Sequence, residues 1–438
     1  MSIANSPVFS QNKPSVLIGL DGEIGTLVKE KLEASYEVEL VPSAELVDNA
    51  NRKNVLGQEP DAIIGLSKDI PLLATKNIIV PVSNTSNKDV FPGIERASAF
   101  FEVSPTSKFA ASIINGTVKL YGFGFGAVAD IILVNTAIVD LADADFSTIE
   151  GIASAAVRFN DQTNPTNKIY GLGFQDAVHG PLALIYNFNG TLFRDNVVDL
   201  EHLALSDEQT KEAFGEINKL VNLRKVTPSW EEQKDGGSEN LFKEVGKLGV
   251  LLAKSTVLAN IAESAVFANQ ENLAVFSYPQ GGRVDALTVM TTDNSKISIA
   301  EEIAGILRET SFQNDLLSKG IIPYSEKEIS DGTPHADALI SAATNYIDYP
   351  HDPKWQIVEE KFDIQMTKLL KGDQNDTITL LGLEIALKLE IPQTVPWAAL
   401  PEFPASETTT QADSPLEFWL IPTFFLVVVT IRNRRKKA

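Results

Sequence analysis

Apolar and polar positions along the first hundred residues follow two different periods. Four short apolar runs have the length and composition of strands: residues 15–20, 37–41, 60–65 and 78–82. Between the first two runs, apolar residues recur at helical spacing: Ile24, Leu27, Val28 and Leu32. Helices are also predicted to begin near residue 43 and to span 70–75. Strands that alternate with helices predict an α/β unit with a mainly parallel sheet.

This pattern breaks near residue 120 and returns near residue 273. Glycine-aromatic sequences at 121–126 and 170–174 lead into the apolar run 131–134 and an apolar helix at 181–186. Strands are predicted at 273–278 and 286–290. Helices are predicted at 207–223, 240–252 and 298–307, and two closing helices at 353–391. The break and the return indicate two α/β lobes rather than one continuous unit.

The composition is globular and strongly acidic. The chain has 438 residues, enough for two or three packed units, and its 58 Asp and Glu against 37 Lys and Arg give a net charge of −21. Nucleic-acid binding is excluded because it needs a basic surface. The absence of cysteine excludes disulfides, thiol nucleophiles and zinc–thiolate sites. The four His lack the spacing of a local metal site, so neither a metal nor a cofactor is expected.

The C-terminal end has a different character. Residues 393–415 are rich in Pro, Thr and acidic residues and predict a solvated spacer. Residues 418–431 are 14 consecutive uncharged residues. As a helix they would be about 21 Å long, which is shorter than the hydrocarbon core of a membrane, about 30 Å thick. Five cations follow within 432–438. We expect a membrane anchor at 416–431 with a basic cytoplasmic tail at 432–438; the alternative is a buried C-terminal helix or strand.

This topology places the body of the protein, the residues before the anchor, outside the cell. Such a body requires an export signal, yet residues 1–14 contain no apolar core of that kind. We expect that the signal has been trimmed or that the start is misassigned. The C-terminal end also resembles the anchors of archaeal surface proteins, on its Pro-Glu-Phe-Pro sequence at 401–404, the apolar run and the basic tail.

From about residue 14 to 392 the chain resembles the extracellular solute-binding proteins of the family that includes maltose-binding protein. The likeness lies in the order of features rather than in one diagnostic motif. It is carried by six stretches: Asp21-Gly22-Glu23 after the first strand, the Pro-Asp-apolar sequence at 60–69, the Tyr-Gly-Phe-Gly-Phe sequence at 121–125, Tyr-Gly-Leu-Gly-Phe at 170–174 with Asn-Gly-Thr-Leu-Phe at 189–193, Tyr-Pro-Gln-Gly-Gly-Arg at 278–283, and Leu-Leu-Lys-Gly at 369–372 with Ala-Leu at 386–387. At several points a glycine of the family pattern is missing, as at Asn77.

The resemblance implies a type II periplasmic-binding-protein-like α/β fold, in which crossing hinge strands join two lobes. Lobe I is expected at 14–119 and 274–320, and lobe II at 120–273 and 321–392. The implied function is that of an extracytoplasmic substrate-binding component of an ABC importer. Its expected partners are a polar solute, most often a saccharide, the permease subunits, and the membrane through the C-terminal helix. A monomer in the cell membrane with its binding domain outside is expected.

No catalytic constellation stands out. The chain lacks Gly-x-Ser-x-Gly, a phosphate-binding Walker loop and His-Glu-x-x-His. A non-enzyme is therefore expected. The structural alternative is a membrane-anchored surface-layer or adhesion protein, which needs the anchor but no binding cleft.

Ligand contacts are expected in loops at the carboxyl ends of the lobe strands and at the hinge. The candidates are Asp21, Glu23, Ser67, Lys68, Asp69, Phe123, Phe125, Asp176, His179 and Trp230. Asp21 and Ser67 are equally suited to cap helices, and Phe123 and Phe125 to lie in the core. Trp230 is the one tryptophan expected in a lobe loop, where it would stack on a sugar. Because residues 254–257 lack a tryptophan that relatives often carry, oligopeptides, polyols and other polar solutes stay open.

Overall fold

The computed structural model describes residues 13–82, 90–103, 116–164, 167–262, 264–268, 270–329, 333–350 and 352–391. All of them belong to one compact unit within Met1–Phe403. The expected spacer, anchor and basic tail at 393–438 lie outside the described residues. Within the described ranges, no helix combines the length and the apolar character that a membrane span requires.

Most described strands belong to one mixed sheet. The strands are β1 (Ser15–Ile18), β2 (Glu37–Leu40), β3 (Ala62–Leu66), β4 (Ala99–Val103), β5 (Gly116–Leu120), β6 (Gly122–Asn135), β7 (Tyr170–Phe174), β8 (Leu248–Lys254), β9 (Leu273–Phe276), β10 (Val284–Thr291) and β11 (Ile322–Pro323). Within the described residues, the sheet order is β2-β1-β3-β10-β6-β8-β7, with β9 and β11 also paired to β6. Strands β4 and β5 pair separately as an antiparallel ladder.

Strand β6 runs through both halves of this sheet. Its first part pairs antiparallel with β10, from Gly122 opposite Met290 to Ala129 opposite Val284. Its last part pairs antiparallel with β8, where Asp130 lies opposite Lys254. In one half β1 is parallel to β2 and β3, and in the other β7 is parallel to β8. One long strand therefore connects two partly parallel sheets, as a crossing strand between two lobes does.

Helices cover both halves. They are α1 (Gly22–Leu32), α2 (Leu46–Val55), α3 (Ile70–Thr75), α4 (Pro92–Ala97), α5 (Ile149–Arg158), α6 (His179–Asn187), α7 (Glu208–Asn218), α8 (Trp230–Gln233), α9 (Gly237–Lys243), α10 (Val257–Ala262), α11 (Ile297–Leu307), α12 (Thr310–Ser318), α13 (Ala336–Thr344), α14 (Trp355–Leu370) and α15 (Asp376–Glu390). Side-chain caps start some of them: the Thr148 hydroxyl accepts the Gly151 N–H at the start of α5, and the Asn375 side chain accepts the Ile378 N–H at α15.

Several hydrophobic cores stabilise the two halves. One core packs α1, α11 and α12 against β1, β3 and β10, with Ile18, Ile64 and Leu307 fully buried. Another packs α6, α7, α14 and α15 against β7 and β8, with Phe214 and Phe362 at its centre. The phenylalanine rings meet edge to face at 6.3 Å. A further core joins the halves, because it packs Ile94 and Val284 of the first half together with Phe242 and Leu248 of the second.

The alternating strand and helix pattern of the first 75 residues is confirmed, and two other predictions are corrected. Residues 78–82 make no strand, because Pro81 lacks a backbone N–H; only Val80 bridges to Thr291. The helix predicted at 240–252 ends at Lys243, and 248–254 is the buried strand β8. Helices α12 and α13 were not predicted.

Candidate functional site

A cleft of about 540 Å³ lies between the two halves of the sheet. We name its parts by the elements that supply them. The first wall comes from α2, α3, α4 and the turn after β3, and includes Asp48, Ser67, Lys68, Asp69, Lys76 and Arg96. The second wall comes from α14, the residues just before it and the start of α6, and includes His179, Asp352, Trp355, Glu359, Glu360 and Asp363. The floor consists of the start of β10 with residues 346–349.

Arg283 is the centre of the floor and is 7 % exposed. Its Nε donates to Asp285 Oδ1 at 2.8 Å, and its Nη1 donates to Glu359 on α14. Its backbone N–H donates to Asp130 Oδ2 on β6 at 3.1 Å. One guanidinium thus joins β10 to the second wall, and its charge is fully compensated by carboxylates, as a buried charge requires.

Two glycines before Arg283 allow this placement. Gly281 has a φ of +95°, which favours glycine, and a side chain there would meet Asn345 O and Tyr346 at 2.8 Å. A side chain at Gly282 would lie 2.9 Å from Asp130 Cβ. The loop therefore passes between two other segments only because both positions lack a side chain.

An aromatic group stands beside this ion network at the start of α14. Trp355 Nε1 donates to Glu359 Oε1, one helical turn later, at 2.9 Å. The Trp355 ring lies 5.9 Å from the ring of Tyr349, and the guanidinium of Arg283 lies 5.6 Å from that same ring. Both aromatic side chains are less than one-tenth exposed and border the cleft. The second wall thus presents an apolar surface next to charged hydrogen-bonding groups.

Arg96 and Asp348 close the other side of the floor. Arg96 Nε donates to Asp348 Oδ1 at 3.0 Å and Nη2 donates to Oδ2 at 2.6 Å. This bidentate geometry fixes both side chains, with Arg96 only 7 % exposed. The pair holds α4 of the first wall to the segment that leads into α14.

The turn after β3 supplies the predicted residues Ser67, Lys68 and Asp69 to the first wall. Ser67 Oγ accepts the Ala286 N–H at 3.0 Å and so ties this turn to β10. Asp69 is 8 % exposed, and its Oδ2 has no hydrogen-bond partner. Burial raises the pKa of Asp69 to about 7, although Lys68 acts in the opposite direction. A buried carboxyl that lacks a partner costs folding free energy, which makes Asp69 a strong candidate for a ligand contact.

His179 is the predicted residue that lines the second wall, and Asp176 lies behind it. Asp176 Oδ1 accepts the backbone N–H groups of Val178 and His179, at 2.9 and 2.7 Å. Its Oδ2 lies 2.8 Å from His179 Nδ1. Burial would raise the pKa of Asp176, but the charge and hydrogen bonds of His179 outweigh it and hold that pKa well below its usual range. Asp176 therefore orients the His179 ring toward the cleft.

The structure does not bring the other candidates to the cleft. Asp21 accepts the backbone N–H of Ser43 at 2.9 Å and so lies behind a residue that borders the cleft. Glu23 pairs with Lys319 at 2.7 Å. Phe125 is fully buried and Phe123 is half-buried against the same core, while Trp230 is half-buried against the core around α14. The proposed roles of these residues in ligand binding stay predictions.

Sequence reasoning missed the floor and most of the second wall. Two signals in the sequence could have found part of it. Arg283 and Asp285 are charged residues at the start of an apolar strand, and Trp355 and Glu359 are one helical turn apart in a predicted helix. Nothing in the sequence pairs Arg96 with Asp348, 252 positions later. Among the described residues, no group of three His, Asp or Glu side chains could hold a metal ion.

The sequence matches no protein-family model, and no curated protein matches it. Solved structures do resemble it. A cyclo/maltodextrin-binding protein in complex with maltotetraose has a TM-score of 0.66 at 15 % identity, over 87 % of this chain and 98 % of that one. An ABC substrate-binding protein from Listeria monocytogenes in complex with cycloalternan has a TM-score of 0.65 at 15 % identity, over 86 % of this chain and 98 % of that one.

A third similar structure is an ABC transporter solute-binding protein from Agrobacterium radiobacter K84 in complex with ribitol. Its TM-score is 0.61 at 15 % identity, over 86 % of this chain and 99 % of that one. All three are binding proteins by name, two of them of ABC systems, and the likeness covers 86–87 % of this chain and 98–99 % of each of the others. The described part of this chain therefore has the α/β fold of the two-lobed ABC solute-binding proteins, as the sequence predicted.

Proposed function

We propose that the chain is the extracytoplasmic substrate-binding component of an ABC importer and takes a polar solute, a saccharide or a polyol, into the cleft. The observation that carries this proposal is the floor, where the buried Arg283 holds Asp285 and Glu359 beside Trp355. Such a network keeps polar groups in fixed positions with their desolvation already compensated. A hydroxylated solute gains hydrogen bonds there without first having to order the side chains.

The cleft also suits closure on a ligand. We propose lobe I at 14–119 and 274–320 and lobe II at 120–273 and 321–392, which rotate about β6 and β10. The two walls then belong to different lobes, with Ser67 and Asp69 on one and His179 and Trp355 on the other. A solute that contacts both walls binds the closed form more tightly than the open form, and this difference in affinity stabilises the closed form.

The ligands of similar structures support the solute class. Maltotetraose, cycloalternan and ribitol are all rich in hydroxyl groups, and the proteins that hold them are named as binding proteins. We propose that this chain likewise delivers its solute to permease subunits and works as a monomer without cofactor. We further propose an archaeal surface protein held by the spacer 393–415, the membrane anchor 416–431 and the basic cytoplasmic tail 432–438.

Isothermal titration calorimetry of the full chain in detergent tests the function. The panel consists of maltotetraose, cycloalternan and ribitol, and we expect saturable one-site binding of at least one member. Glu359→Gln keeps the size of the side chain but removes the charge that faces Arg283, and should weaken binding about tenfold.

The matched control is Glu309→Gln, since Glu309 pairs with Lys31 at 2.7 Å and does not border the cleft. It should bind as the unmodified chain does. If no member of the panel binds, or if both variants lose affinity equally, the cleft is not the solute site. A surface-layer or adhesion role without uptake would then be the better account.

A further inference from the structure

Helix α15 is apolar on two opposite sides, and only one of them is covered. On the covered side, three leucines are buried in the core that α15 shares with α7 and α14: Leu380, Leu383 and Leu387. On the other side, four side chains are 50–81 % exposed: Ile378, Leu381, Ile385 and Leu389. They recur at intervals of three or four residues and therefore form one row along the helix. We call this row the α15 stripe.

Exposure of large apolar side chains is concentrated at this place. Among the described residues, twelve such side chains are exposed. Four of them form the α15 stripe, and Ile364 of the adjoining helix α14 is a fifth. The other seven lie one or two at a time on other parts of the chain. Isolated exposed apolar residues are ordinary, but a continuous row of them indicates a surface that another segment covers.

The charges around the α15 stripe disfavour a membrane surface or a second copy as that cover. Helix α15 carries three carboxylates and one lysine. Lys388 pairs with Glu384 at 2.5 Å, and Glu390 lies 3.4 Å from Lys361 of α14. Helices that lie on a membrane carry an excess of Lys and Arg instead. Two copies of a chain with a net charge of −21 repel each other.

The chain itself has an apolar segment directly after this helix. Residues 392–438 lie outside the described residues, and the sequence 392–404 contains four prolines. Such a sequence favours the polyproline II conformation, which has three residues per turn. Trp397, Leu400 and Phe403 recur at intervals of three, so this conformation places them on one face. Between Phe403 and Leu416 the sequence has no further large apolar residue.

The lengths of the two apolar rows agree. From Ile378 to Leu389, eleven residue steps along the helix amount to about 16 Å. From Trp397 to Phe403, six steps of polyproline II amount to about 19 Å. Another six steps join Ile391 to Trp397 and span up to about 20 Å, which is enough for the chain to turn back. The segment can thus run antiparallel to α15, with Trp397 near Leu389.

We infer that residues 397–403 dock on the α15 stripe through Trp397, Leu400 and Phe403. This inference goes beyond the proposed function and does not depend on a solute in the cleft. It narrows the proposed spacer, because only residues 404–415 then remain as a free tether to the expected anchor. That tether has 12 residues, where 392–415 would have 24. The side of lobe II that carries α15 is therefore held toward the membrane.

Disulfide trapping tests the inference, because the chain has no cysteine of its own. The test pair is Ile385→Cys with Leu400→Cys, and a disulfide requires the two Cα atoms to lie within about 7 Å. The full chain in nanodiscs of neutral lipid is oxidised with copper phenanthroline, and the linked peptide is quantified by mass spectrometry. The control pair is Val55→Cys with Leu400→Cys, since Val55 is an exposed apolar residue of α2. The test pair should cross-link at least tenfold faster than the control pair.

Two serine variants, each added to the test pair, distinguish docking from random collisions of a free tail. Trp397→Ser removes a side chain from the docking face and should slow cross-linking at least fivefold. Val395→Ser removes an apolar side chain that does not share this face and should change the rate less than twofold. Equal effects of the two variants, or a test pair no faster than the control pair, would overturn the inference.

The other possible covers give different results. Covalent dimers of Ile385→Cys alone, formed as fast as the internal disulfide, would show that a second copy covers the α15 stripe. Slower reaction of Ile385→Cys with a water-soluble maleimide in nanodiscs than in detergent, without an internal disulfide, would place the stripe on the lipid. Either result would contradict docking of residues 397–403 and would leave solute binding in the cleft untouched.

Discussion

Replacing Asp69 by Asn should make the ligand-free chain more stable at neutral pH. Asp69 is 8 % exposed, its Oδ2 has no partner, and burial raises its pKa from 3.8 to about 7. A carboxyl with a higher pKa in the folded chain holds its proton more tightly when folded. The contribution of Asp69 to stability is therefore greatest below pH 3.8 and is lost as the pH rises through about 7.

The magnitude follows from this difference. Three pKa units correspond to about 4 kcal/mol, which is the largest penalty that ionised Asp69 imposes on folding. Asn cannot ionise, but its amide group is also buried and costs about 1–3 kcal/mol if it stays unpaired. We expect Asp69→Asn to raise the free energy of unfolding by roughly 1–3 kcal/mol near pH 7.5, and to give no gain near pH 4.

Urea unfolding followed by tryptophan fluorescence at both pH values measures this difference. Asp21→Asn is the control of opposite sign, because hydrogen bonds from Ser43 lower the pKa of Asp21. Asp21 stabilises the chain above its unfolded pKa, and this contribution is lost as the pH falls through the folded pKa. Asp21→Asn should therefore lower stability near pH 7.5. If Asp69→Asn shows no gain near pH 7.5 relative to pH 4, the assignment of Asp69 as an unpaired buried acid is refuted.

Three further predictions concern the second wall, the core and the C-terminal end. Trp355→Phe should lose the hydrogen bond to Glu359 and weaken solute binding about tenfold, with a small loss of stability of about 1 kcal/mol; calorimetry and urea unfolding measure the two effects. Trp230→Ala should lower the unfolding free energy by about 1–3 kcal/mol while binding is unchanged, since Trp230 packs against the core and does not border the cleft; weaker binding at unchanged stability would contradict this. Deletion of residues 412–438 should release a soluble body that melts cooperatively and still binds solute, as measured by calorimetry without detergent; an unfolded product would place the apolar run in the core.

The sequence predicted the elements whose periodicity is strong. Helices α1 and α14 expose one face and bury another, so their apolar residues recur at helical spacing. Strand β8 was mistaken for part of a helix because all but its last residue is buried, which leaves no alternation to read. Helix α12 has few apolar residues and owes its position to the buried Phe312 and Leu316, which only the folded chain reveals.

The site was predictable where it follows a single strand. Ser67, Lys68 and Asp69 come directly after β3, and the carboxyl end of that strand faces the cleft. The floor was not predictable, because Arg283 and Glu359 are 76 positions apart and meet only in the folded chain. Trp230 is a different case. A capping box at Ser229 starts α8 there, and the half-buried ring packs against the core around α14. Its role in ligand binding stays a prediction.

Closure of the two lobes on a solute is the most direct test of the account. Small-angle X-ray scattering of the full chain in detergent is recorded with and without saturating maltotetraose, or with whichever of cycloalternan and ribitol binds in calorimetry. A solute held by both walls should decrease the radius of gyration of the body, and Glu359→Gln should require more solute for the same decrease. A solute that binds without any decrease would contradict a site between the walls.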